Sequence, residues 1–112
     1  MADSRSDLLQ GTLEMLVLKA LSVESTHGWG VSIRLRRMSG DVLDVNQGSL
    51  YPALQRMVRR GWIRSTWRIS ENGRRARYYE LSAEGRRQLT ARVAEWEHSS
   101  GAVNRVLRYS FQ

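Results

Sequence analysis

Arginines set among hydrogen-bonding side chains are the residues here with the most chemistry to offer. Wound at about 100° per residue, the stretch from Gly48 to Arg60 puts Ser49, Pro52, Gln55, Arg56 and Arg59 on one side, with Tyr51 and Arg60 on its flanks. Farther along, Arg74-Arg75-Ala76-Arg77 follows the turn-forming run Ser70-Glu71-Asn72-Gly73. Guanidinium groups neutralise phosphates, and with serine and glutamine they read base edges, so both clusters suit a polyanionic partner. Bond-breaking chemistry has no comparable set. The sequence contains no phosphate-cradling glycine loop ending in Lys-Ser/Thr, no His-Glu-x-x-His and no Gly-x-Ser-x-Gly, and its sparse carboxylates mostly neighbour arginines. His27 and His98 lie far apart and cysteine is absent, so metal-ligand spacing, thiolates and disulfides are all missing. The expectation is a binding protein with no catalytic residues, no cofactor and no metal.

Charge placement sharpens this. The net charge is +7, and the excess lies in the middle of the 112-residue chain. Between Arg34 and Arg77 eleven arginines face only Asp41, Asp44 and Glu71, whereas the segments on either side are near balance. Such a field attracts nucleic acid first and an anionic membrane surface second. The polar N-terminus lacks the apolar core of a signal peptide, and the run Met15-Leu16-Val17-Leu18 stops at Lys19, too short for a membrane span. A cytoplasmic protein without membrane insertion is expected.

The elements that position these residues follow from periodicity. Leu9, Leu13, Leu16, Val17, Ala20 and Leu21 predict an amphipathic helix ending near Ser22. A shorter helix spans Trp29 to Met38, with Val31, Leu35 and Met38 on its buried face and Ser39-Gly40 as the stop. Asn46-Gln47-Gly48-Ser49 offers capping oxygens, and Pro52 demands a first-turn position, which starts the third helix near Gly48 or Ser49. Its apolar stripe is Leu50, Leu54, Met57 and Val58, and Gly61 ends it.

Beyond Gly61 the period changes. Ile63, Ser65, Trp67 and Ile69 alternate with Arg64, Thr66 and Arg68, and Tyr78 to Leu81 forms a second strand, giving a hairpin with an arginine-rich tip. Trp62 and Trp67 read as packing residues of this hairpin, and Trp29 as packing at the start of the second helix. Ser82 caps a last helix carrying Leu89, Val93, Trp96, Val103 and Leu107 at spacings of three, four or seven. Ser99-Ser100-Gly101 predicts a bend or a frayed end in that helix. Leu13, Leu16, Val17, Leu21, Leu35, Leu50, Leu54 and Met57 already supply a core, so the last stripe is surplus and predicts a homodimer interface completed by Leu9 and Leu13.

Three helices followed by a basic hairpin is the winged helix-turn-helix order: mainly α with a β-hairpin, plus a C-terminal helix. The expected layout is a DNA-binding unit over residues 1–82, with its wing at about 63–81, and a dimerisation helix over 83–112 in the same structural unit. A helix of about 10–12 Å diameter fits the major groove of duplex DNA. The same fold also serves protein- and RNA-interaction modules, a reading disfavoured by the polar, basic face of the third helix.

Four segments carry a further signal: Gly11-Thr12-Leu13-Glu14, His27-Gly28-Trp29, Gly48-Ser49-Leu50-Tyr51-Pro52-Ala53-Leu54, and Gly73-Arg74-Arg75-Ala76-Arg77-Tyr78-Tyr79-Glu80-Leu81-Ser82-Ala83-Glu84-Gly85. With them the sequence resembles the PadR-like transcriptional regulators, in a short form with a single C-terminal helix. Trp29 stands where that family usually has tyrosine, Gly30 where it often has an acid, Ala76 where a basic residue is common, and Ser82 where threonine is usual. The resemblance implies a dimeric repressor on an inverted-repeat operator of double-stranded DNA. It places Ser49 and Tyr51 at the backbone or bases, Arg74 and Arg75 at the wing tip, Arg77 at phosphates, and Tyr79 and Leu81 between wing and core. The DNA-binding set is then Gln47, Ser49, Tyr51, Pro52, Gln55, Arg56, Arg59, Arg74, Arg75 and Arg77. The resemblance also implies that a small planar aromatic effector can bind between subunits, where Trp96 would line the cleft.

Overall fold

The computed structural model describes residues 4–111, with side chains described from residue 12 onward. In chain order the elements are α1 (Ser4–Val23), β1 (Thr26–His27), α2 (Gly28–Met38), α3 (Gln47–Arg59), β2 (Ile63–Ile69), β3 (Arg75–Leu81) and α4 (Ala83–Arg108). Helix α1 is the hub, packed against α2, α3, β3 and α4. Leu13, Val17, Leu18, Ala20 and Leu21 are buried in the core, and Glu14 and Met15 are buried too. The expected amphipathic helix is therefore closed on nearly every side over this stretch, as a helix surrounded by partners must be. Leu9 lies in α1, but its side chain is outside the described residues.

Caps set the helix boundaries. His27 Nδ1 accepts from the Gly30 N–H at 3.0 Å and starts α2, one residue before the expected position. Gly40, at φ +64°, ends it as anticipated. Val31 and Leu35 are buried, whereas Met38, the last residue of the helix, is exposed. Arg34 ties α2 back to the end of α1, donating to the carbonyls of Ala20 at 2.8 Å and Glu24 at 2.7 Å. Asn46 Oδ1 accepts from Gly48 N–H at 2.6 Å and caps α3. The helix thus begins at Gln47, and Pro52 falls in its second turn. The carbonyl that this proline leaves unbonded belongs to Gly48, an exposed residue, so the cost expected of an interior proline is relieved by solvent.

The sheet has one strand more than the expected hairpin. Strands β2 and β3 pair antiparallel from Ile63↔Leu81 to Ile69↔Arg75, and β1 adds Thr26↔Tyr79 and His27↔Tyr78 on the far side of β3. The hairpin closes through Ser70 N–H to Arg74 O at 2.7 Å, with Gly73 at φ +76°. Strand β3 begins at Arg75, so Arg75 and Arg77 are strand residues and only Arg74 sits in the turn.

Ser82 starts α4 as anticipated, accepting from Gly85 N–H at 3.0 Å. Its hydroxyl also faces the carbonyls of Gly61 and Trp62, at 2.6 and 2.8 Å, which locks the helix start to the end of α3. Helix α4 continues for 26 residues without the break expected at Ser99-Ser100-Gly101. The propensity cost of a glycine is about 1 kcal/mol, too little to stop a long helix whose last turn carries Arg105 and Arg108 at the negative end of the dipole. The helix packs against α1, with Leu89 against the core and Arg92 approaching Glu14. Trp96, Val103, Val106 and Leu107 are exposed along the rest. Among the described residues no helix is long and apolar enough to cross a membrane.

Candidate nucleic-acid interface

The outward face of α3 carries Ser49, Tyr51, Pro52, Gln55 and Arg59, all exposed, while Leu50, Ala53, Leu54 and Met57 hold the opposite face in the core. Two members of the expected DNA-binding set turn inward. Gln47 Nε2 donates to Ser32 Oγ at 2.6 Å, joining α3 to α2. Arg56 Nε lies 3.1 Å from Glu14 Oε2, so its guanidinium is held by α1 and its side chain is only partly exposed. Arg60, just past α3, reaches Glu14 Oε1 at 3.2 Å, and Arg92 of α4 approaches the same oxygen at 3.9 Å. Glu14, whose side chain is only 9% exposed, is thus shared by guanidiniums from the α3 segment and from α4. Both Arg60 and Arg92 also stack on Trp62, with guanidinium carbons 5.0 and 4.7 Å from the ring centre. Sequence reasoning missed Glu14, although a lone acid inside Leu13-Glu14-Met15-Leu16-Val17-Leu18 was a visible signal.

On the wing, strand alternation decides what each arginine meets. Ile63, Ser65, Trp67 and Ile69 share a face with Leu81, Tyr79, Arg77 and Arg75. Near the core that face is buried at Ile63, Tyr79 and Leu81. Beyond the core it carries Trp67 beside the guanidiniums of Arg75, 4.7 Å from the ring centre, and Arg77, at 5.1 Å. Trp67 is 52% exposed, so its role is to hold two cations rather than to fill the core. On the other face Arg68 stacks on Tyr78 at 4.6 Å and bonds Ser25 Oγ at 3.1 Å, and Arg64 pairs with Glu80 at 3.6 Å.

A contact between His27 and Glu71 joins the wing to the helices. With Nδ1 accepting from Gly30, the neutral ring carries its proton on Nε2 and donates it to Glu71 Oε1 at 3.2 Å. Backbone hydrogen bonding at Glu71, then the bond from His27, holds that carboxyl below its ordinary pKa. Desolvation, followed by the nearby Glu71 charge, raises the Tyr78 hydroxyl. Between the α2–α3 corner and the inner wing lies an open cleft of about 390 Å³, lined by Trp29, Tyr51, Trp67, Arg74, Arg75 and Arg77 among others. Gly28 lets the Tyr51 ring close on α2, since a Cβ there would stand 2.8 Å from it. Trp29 is 58% exposed and does not pack as expected, because the first turn of α2 opens onto this cleft.

This arrangement has known counterparts. The sequence model of the transcriptional regulator PadR-like family matches residues 17–91. The chain belongs to the PadR-like family. It is 31% identical to a PadR-like transcriptional regulator of Bacillus cereus, covering 93% of this chain and 99% of that one with a TM-score of 0.78. A Streptococcus transcriptional regulator is 29% identical over 90% of this chain and 97% of its own, with a TM-score of 0.77. A regulator of Clostridium thermocellum, 24% identical, shares the fold with a TM-score of 0.80 over 88% of this chain and 96% of that one. Family membership makes this chain a DNA-binding transcriptional regulator with a winged-helix fold. In this PadR-like chain the structure gathers Tyr51, Arg74, Arg75 and Arg77 around one cleft, with the exposed face of α3 presenting the remaining outward residues. Leu13 is buried and Leu89 partly buried in the chain's own core, whereas Trp96, Val103 and Leu107 remain exposed and Val93 half-exposed.

Proposed function

We propose that the chain is a homodimeric repressor that binds an inverted-repeat operator, with α3 in the major groove and the wing on the adjacent backbone. The observation that carries this reading is the exposed set Ser49, Gln55 and Arg59 on α3, flanked by a wing with Arg74, Arg75 and Arg77 uncommitted to carboxylates among the described residues. Arg74, Arg75 and Arg77 supply affinity through phosphates, and Ser49 and Gln55 supply sequence preference. Arg56, engaged by Glu14, contributes by holding α3 on α1. No catalytic step is part of this reading, which places the protein in the cytoplasm with its DNA.

The dimer is built on α4. Residues 83–112 follow a DNA-binding unit ending near Ser82, and Val93, Trp96, Val103 and Leu107 form a stripe that a second copy would bury. Trp96, 47% exposed, would then stand near its own copy, and a small planar aromatic effector stacked there would release the operator. Electrophoretic mobility shift with DNA from upstream of the protein's own coding sequence, competed with random duplex, tests the function. A complex that resists random competitor is expected. Equal competition would reduce the reading to non-specific polyanion binding.

A further inference from the structure

The cleft between the wing and the α2–α3 corner has two unlike walls. The wing wall is cationic: Trp67 holds Arg75 and Arg77 by stacking, and Arg74 stands at the turn. The opposite wall is aromatic, made by Tyr51 and Trp29. Trp29 is the unexplained member. Trp62 and Trp67 have guanidinium partners, whereas among the described residues Trp29 has no ring, guanidinium or hydrogen-bond partner. It leaves most of its surface in solvent at the mouth of the cleft.

We propose that this cleft seats one sugar–phosphate strand of duplex DNA, and that Trp29 is a DNA-contacting residue. The proposal rests on the DNA-binding reading above and extends it to a side chain outside the set read from the sequence. The chemistry of the walls matches the two halves of the strand. Arg74, Arg75 and Arg77 face the phosphates, and the indole of Trp29 offers a flat apolar surface for deoxyribose. The volume of about 390 Å³ is of the size that holds a nucleotide-sized unit, and the cleft is open, as a continuous strand requires. Charge complementarity selects this occupant over a second copy of the chain, whose middle segment carries the same positive excess. Trp29 therefore adds a salt-independent share of affinity beside the salt-dependent share of the arginines.

The test uses the full chain, a fluorescein-labelled duplex recovered by in vitro selection, and anisotropy titrations at several salt concentrations. Trp29→Ala is expected to weaken binding about tenfold, the loss typical of removing one aromatic contact to nucleic acid. The slope of log affinity against log salt should stay at the parent value, because no phosphate neutralisation is lost. Trp29→Phe should stay within about threefold of the parent, since the flat wall remains. Arg75→Ala should weaken binding and make the slope shallower by about one. Thermal melting of Trp29→Ala at the parent temperature separates the effect from misfolding. Parental affinity in Trp29→Ala, or equal losses in the Ala and Phe variants, overturns the role of Trp29, while a weakened Arg75→Ala in the same series keeps the DNA-binding reading standing. A parent that binds no duplex overturns both.

Discussion

Arg56 of α3 reaches back 42 positions to Glu14 of α1, Nε to Oε2 at 3.1 Å, so an arginine expected on the outer face of α3 serves as the tie between that helix and the hub. The same carboxylate meets Arg60 and Arg92, and it links α3 to α4 through one buried charge. Removing Glu14 would leave like charges facing one another at a partly buried position, and a lost partner costs more than the net worth of the pair.

Glu14→Ala is therefore expected to destabilise the fold by about 1–3 kcal/mol, discounted from the fully buried case because Arg56 and Arg60 retain access to water. Glu14→Gln should cost less, since it keeps an acceptor. Urea denaturation of the two variants against the parent checks the order.

Ser82→Ala is expected to cost about 1 kcal/mol for the lost cap of α4, and more if the carbonyls of Gly61 and Trp62 lose their partner as well. Gly85→Ala should be worse, because the added Cβ collides with the Trp62 carbonyl, a backbone atom that cannot turn aside. Comparison of the melting temperatures of both variants decides this.

The fold was largely legible in the sequence because the caps and turns are local. Asn46, Ser82, Gly40 and Gly73 act where their chemistry predicts. Strand β1 escaped because two residues, Thr26 and His27, are too short for any alternation to show, and they pair only once β3 is in place. The candidate site was legible to the level of which side of α3 faces outward, and no further. A guanidinium on a long stem can turn either way, and whether Arg56 meets solvent or Glu14 depends on a helix far away in sequence. Trp62 is buried as a packing residue, but Trp67 and Trp29 misled for the same reason. Trp67 stacks between Arg75 and Arg77 by virtue of the β2–β3 register, and Trp29 faces a cleft that exists only after the wing folds back.

Acid should loosen the link between wing and helices. The Glu71 carboxyl has its pKa depressed by hydrogen bonds of its own backbone and by His27, so its contribution is present above the ordinary glutamate value and is lost as pH falls through the lower, folded one. NMR titration of Glu71 in the parent and in His27→Ala should show a higher pKa in the variant. An identical titration would mean that the His27 contact does not hold the carboxylate.

Association through α4 predicts that Leu107→Glu, a charge placed in the exposed stripe, yields monomer while leaving the fold of a single chain intact. Sedimentation velocity with circular dichroism reads both. A variant that remains a dimer would move the interface off this stripe.

The central claim, that the arginine-lined wing and the outer face of α3 grip duplex DNA in two different ways, is tested most directly by the salt dependence of affinity for matched and altered duplexes. Arg74→Ala should weaken all duplexes alike and lower the slope by about one, while Gln55→Ala should leave the slope unchanged and shift preference among operator variants by about 1–3 kcal/mol. An Arg74→Ala variant with parental affinity and parental slope would contradict the account.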